Sequence, residues 1–135
     1  METKELLNKA AISVSKLLKK KREASSQLNQ LLEVLSSKQG LDGVYAVQAH
    51  LLYQSGRNGL LPTEFCQCVY QDLSDIIRAG DKEPIKTARE YLTHIKRLFK
   101  GVEQLNSVKI QNEESAFDEL ARQVFDFRPE RRDRR

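Results

Sequence analysis

The chain has no tryptophan and only two cysteines, three prolines and six glycines in 135 residues. With so few residues that break helices, long helical runs are open to it. Cys66 and Cys68 flank a single glutamine, which is no disulfide framework, so a reducing, cytoplasmic setting is the expectation. No stretch approaches the run of about 20 apolar residues that a membrane span needs. The opening METKELLNKAA is charged and periodic, and no signal peptide is expected in it. Alternating strand patterns and internal repeats are also missing. So are a phosphate-binding glycine loop, a Ser/His/Asp order and a His-Glu-x-x-His motif, and the expectation is a non-enzyme without a cofactor. Cys66, Cys68, His50 and His94 complete the Cys/His inventory. Residues two apart on a helix face nearly opposite ways, so no shared metal is expected. His50 reads as a hydrogen-bonded core histidine, and Asp72 with Asp75 as exposed polar positions.

What is present is helical periodicity. Leu6, Leu7, Ala10, Ala11, Val14, Leu17 and Leu18 recur at three and four residues, and Leu28, Leu31, Leu32 and Leu35 form a second stripe that stops at Gly40. Ser25 and Ser26 are favourable N-caps and place a break between the two stripes, although the spacing nearly permits one helix over 3–36. Pro62 suits the first turn of a helix burying Phe65, Cys66, Val69, Leu73, Ile76 and Ile77 before Gly80. Asp81 is the expected cap of the next helix. That helix has Pro84 near its start, Ile85, Ala88, Tyr91, Leu92, Ile95, Leu98 and Phe99 inside, and Gly101 at its end. A polar connector over 106–112 leads to a last stripe of Ala116, Phe117, Leu120, Ala121, Val124 and Phe125. The fold class expected is all-α, a single bundle of five to six helices over 1–127. The arginine-rich end, 128–135, is too poor in apolar residues to pack and is expected to be disordered.

The stretch Val44–Gly59, VYAVQAHLLYQSGRNG, stands apart. From Gly43 to Thr63 the one formal charge is Arg57, in a chain that is 31% charged. A helix apolar nearly all round belongs at the centre of a bundle, so the helix over 41–54 is expected there, with Leu52 in the core. Gly56 is expected as its left-handed stop, and Arg57 follows at the surface, where a lone cation on a rigid scaffold marks a candidate site.

The net charge is +4, but it is segregated. The stretches 16–22, 86–100 and 128–135 together carry +12 and leave −8 for the rest. On the helix after Pro84, Lys86, Arg89, Lys96, Arg97 and Lys100 fall within about a third of the circumference, opposite the apolar set. Over fourteen residues they span about 21 Å, enough to meet several phosphates of a nucleic-acid backbone. Against that stands an ordinary solvated face, or a helical adaptor whose basic face meets an acidic protein. A chromosomal DNA-binding bundle ranks third, since no helix-turn-helix spacing is evident.

The segments SSQLNQLLEVL from Ser25, YAVQAHLLYQSGR from Tyr45, Leu73 to Ile77 and AREYL from Ala88 resemble, in their order, the small subunit of type III-A (Csm) CRISPR effector complexes. The likeness covers about 25–100, and its most specific phrase is Leu-Leu-Tyr-Gln-Ser-Gly-Arg, ending at Arg57. Thr93–Lys100 is more basic and less aromatic than the run that closes the family's last helix, and 109–135 has no family counterpart. The resemblance implies a non-catalytic helical bundle, present in several copies, bound to guide RNA and target RNA beside other CRISPR effector subunits. Arg57 is the residue carried over from the motif; the other five cations come from spacing alone.

Overall fold

The computed structural model describes residues 1–56 and 59–128. In order, they form α1 (Thr3–Leu17), a 3-10 segment (Leu18–Glu23), α2 (Ala24–Ser36), α3 (Leu41–Gly56), α4 (Thr63–Arg78), α5 (Pro84–Val102), a short 3-10 turn (Glu113–Ser115) and α6 (Ala116–Asp126). Among the described residues there is no strand, and the protein is an all-α bundle. Among the described residues no helix is long and apolar enough to cross a membrane. Pro84, with its preset φ, opens α5. Gly40 (φ 60°) and Gly80 (φ 77°) turn the chain after α2 and α4 through the left-handed region, which a side chain would disfavour. Pro62 stands one residue outside α4, as its N-cap, rather than in the first turn.

The organising helix is α5, not α3. It packs against α1, α2, α3 and α4, while α1 also holds α4 and carries α6 outside. Tyr91, Ile95 and Phe99 of α5 meet Leu17, Leu31, Phe65 and Leu73 in one continuous core. Around α5 the order is α1, α4, α3, α2, because each neighbouring pair in that series packs together except α2 with α1. The gap between α2 and α1 leaves one face of α5 open to solvent, and α3 lies behind it.

The expected place of α3 is therefore corrected. Val44, Val47 and Leu51 are buried, but Tyr45 is 51% exposed and Leu52 62% exposed. Apolar residues occupy both faces, and only one faces the bundle, so composition alone suggested full burial. The inner side approaches closely at Gly43, where a Cβ would sit 2.4 Å from the Leu35 carbonyl and 3.1 Å from Ile85 Cδ1.

The break between α1 and α2 also moves. It falls at Lys20 (φ −136°, ψ 60°), and Ser25 and Ser26 lie inside the first turn of α2 without capping it. Lys21 bridges the reversal by donating to the carbonyls of Glu103 (3.0 Å) and Leu105 (2.8 Å). Asp81 does not cap α5. Its carboxylate accepts from the Met1 amino group (3.0 Å) and from Thr87 Oγ1 (3.0 Å). Helix α5 runs one residue past Gly101, and the connector over 106–112 is not wholly polar, because Val108 joins the core. Residues 129–135 of the expected disordered tail lie outside the described residues.

Asp72 is not an exposed position either. Its carboxylate accepts from the hydroxyls of Tyr91, fully buried on α5, and of Ser13 (3.3 Å), fully buried on α1. Lys9 Nζ lies 3.8 Å from Asp72 and 3.1 Å from Asp75. Burial pushes the Asp72 carboxyl up to about 6, against the pull of the Tyr91 hydrogen bond and the Lys9 charge. This network ties α1, α4 and α5 together.

Candidate nucleic-acid interface

The open face of α5 is the one that carries the cations. Lys86, Arg89, Arg97 and Lys100 are exposed, and Lys96 is half-buried. All five expected residues share the solvent side, because Ala88, Tyr91, Leu92, Ile95 and Phe99 take the inner arc. Two are partly compensated: Lys86 lies 4.0 Å from Glu83, and Lys100 lies 3.7 Å from Glu103. Both pairs are exposed i,i+3 contacts of little energetic weight. Among the described residues, Arg89, Lys96 and Arg97 have no acidic partner within ion-pair distance. Glu90 sits at the margin toward α1, accepting from Thr3 Oγ1 (3.4 Å) and lying 3.4 Å from His94 Nε2. The field along this face is positive, with flexible side chains free to reach outward.

Arg57 lies outside the described residues, so its side chain is not assigned to this face. The positions around it are anchored, however. Gln54, nearly buried, accepts from Leu60 N–H at its side-chain oxygen (3.0 Å) and from Gly59 N–H at its backbone carbonyl (2.9 Å). Its amide donates to Gln27 of α2 (3.3 Å). A Cβ on Gly59 would fall 2.6 Å from the backbone carbonyl oxygen of Gln54, so glycine is required for the close approach. Within the phrase Leu-Leu-Tyr-Gln-Ser-Gly-Arg, glutamine thus closes the end of α3, a role that spacing did not reveal.

Two cations were missed as parts of a surface. Lys20 donates to the Gly59 carbonyl (2.9 Å), and Lys21 reaches the carbonyls beyond the end of α5. The 3-10 segment therefore bridges the loop after α3 and the C-terminal end of α5, where Lys100 stands. With Arg22 exposed, it extends the basic track of α5 around the end of the bundle. The signal was the run Lys16–Arg22; its proximity to α5 needed the fold.

Cys66 is buried, and burial pushes its thiol up to about 11, while Cys68 is half-buried. Among the described residues, no three His, Cys, Asp or Glu side chains converge as a metal site. His50 departs from its expected role: it is half-buried, its Nε2 has no hydrogen-bond partner among the described residues, and burial lowers its pKa. Compared with protein-family models, curated proteins and solved structures, the chain matches none.

Proposed function

We propose that the protein is a non-catalytic small subunit of a type III CRISPR ribonucleoprotein effector complex. In this reading it is cytoplasmic and works beside other effector subunits and further copies of itself. It steadies the guide and target RNA by contacting the backbone without reading sequence. Lys86, Arg89, Lys96, Arg97 and Lys100 form the track, and Arg57 contributes a phosphate or sugar contact from the loop after α3. The observation that carries this reading is the open face of α5: five cations over about 21 Å, three of them without an acidic partner among the described residues. Sequence likeness over 25–100 supplies the kind of assembly.

The test is fluorescence anisotropy with single-stranded RNA of mixed sequence. Contacts to four phosphates give a logarithmic salt slope near −3, so affinity falls roughly 50-fold between 50 and 200 mM salt. The double substitution Lys96→Glu and Arg97→Glu abolishes binding and leaves the circular dichroism spectrum intact. A folded double variant with undiminished RNA affinity refutes the assignment and favours an adaptor whose basic face meets an acidic protein.

A further inference from the structure

Helix α3 is apolar on two faces, and the bundle uses one. Outward it presents Leu41 (38% exposed), Tyr45, Ala49 and Leu52, and Tyr70 of α4 (38% exposed) continues the surface. Tyr45, Ala49 and Leu52 follow at intervals of four and three, the spacing of a helix-pairing seam. Ala49, the small residue between two large ones, allows a second helix axis to come near. Beside the seam, a cleft of about 260 Å³ opens between α3 and α4, lined by Leu51, Leu52, Cys66 and Tyr70.

We propose that this face pairs with the same face of a second copy of the chain, across a twofold axis near Ala49, with Tyr45 of each copy entering the cleft of the other. The proposal stands on α3 alone and does not depend on the RNA reading.

Charge selects the occupant. A twofold interface lays a patch against itself, so a patch with net charge repels its own image. Among the described residues of α3 the one formal charge is Asp42, in the first turn and seven residues, about 10 Å, from Ala49, so its twofold image lies far from it, while the chain overall is 31% charged with a net +4. Because α3 lies behind α5, back-to-back pairing also points the two cationic faces in opposite directions, where their repulsion is least. Size sets the strength. The exposed parts of Leu41, Tyr45, Ala49, Leu52 and Tyr70 amount to on the order of 450 Å² per copy, about half the usual contribution to a stable interface. The dimer is therefore weak and concentration-dependent.

Sedimentation equilibrium of the full chain from micromolar to millimolar concentration tests this. A monomer–dimer equilibrium is expected, undiminished by salt because apolar burial carries it. Leu52→Asp and, separately, Tyr45→Lys should leave the protein monomeric with unchanged thermal midpoints. In a background of Cys66→Ala and Cys68→Ser, Ala49→Cys should oxidise to a covalent dimer far faster than Gln30→Cys, which places its thiol on exposed α2. A monomer at 1 mM, a dimer that survives both substitutions, or cross-linking at Ala49→Cys no faster than at Gln30→Cys overturns the proposal. RNA titration of Leu52→Asp separates the two readings: retained, salt-sensitive binding by a monomeric variant shows that the faces act independently. Joint loss of both activities in a folded Leu52→Asp protein supports self-pairing and overturns the independence of the two faces, making RNA binding depend on the paired state.

Discussion

Tyr91→Phe removes one hydroxyl from the place where three helices meet, and its effect should depend on pH. The hydroxyl donates to a carboxylate that also accepts from Ser13 and lies 3.8 Å from Lys9. Phenylalanine fills the same volume, so the change is almost purely electrostatic. Removing a hydrogen bond to a buried charge costs about 1.5–3 kcal/mol, and one to a neutral group about 1 kcal/mol. Asp72 moves between these regimes near pH 6, because burial raises its carboxyl to about 6. Its folded pKa lies above its unfolded value of 3.8. The contribution of this group to stability is therefore fully present below about pH 4 and is lost as pH rises through 6. Tyr91 opposes that loss by favouring the ionised form, as do Ser13 and Lys9, while the Asp75 charge works the other way. In Tyr91→Phe the raised pKa should climb further and the loss above pH 6 should deepen. The expected destabilisation is about 2–3 kcal/mol at pH 8 and about 1 kcal/mol at pH 5. Urea unfolding at the two pH values measures both, with the slope of unfolding free energy against urea as a control for two-state behaviour. Equal losses at pH 5 and pH 8 would falsify the idea that this hydroxyl stabilises an ionised Asp72.

Other substitutions probe the close approaches and the loop. Gly43→Ala should destabilise by about 1–3 kcal/mol, because the new methyl group meets the Leu35 carbonyl and Ile85 and forces α2, α3 and α5 apart; thermal unfolding checks this. Arg57→Ala should leave the unfolding free energy within about 0.5 kcal/mol while weakening RNA engagement in the assembled complex, and a large fall in midpoint would make Arg57 a structural residue instead.

Periodicity exposed the helices whose two faces differ. In α5, apolar residues from Ile85 to Phe99 and cations from Lys86 to Lys100 occupy opposite arcs, so both the inner face and the basic stripe were readable before any packing was known. Helix α3 defeated the same reasoning because hydrophobicity reports burial of some kind, whether inside one chain or against another surface. Tyr45 and Leu52 look like core residues when only their neighbours in sequence are considered. Asp72 failed in the opposite sense. Spaced three residues from Asp75, it resembled a solvated face, and its partners Ser13 and Tyr91 are 59 and 19 residues away. Ser25 and Ser26 had the right chemistry for caps, but the chain reversed earlier, where Lys21 could reach two carbonyls beyond α5. Within the candidate site, spacing revealed the cations of α5. The joining of Lys20 and Lys21 to that surface followed from the fold.

The packing of α1 bears on how the chain comes off the ribosome. Helix α1 is made before its partners α4, α5 and α6, which all begin at or after residue 63. Leu6, Val14 and Leu17 stay without their native cover until α5 has emerged, some 85 residues later. At ordinary translation speed that interval is roughly 4–17 s. During it α2 and α3 can form a hairpin, while α1 waits as an isolated amphipathic helix open to chaperones or to the same segment of a neighbouring nascent chain.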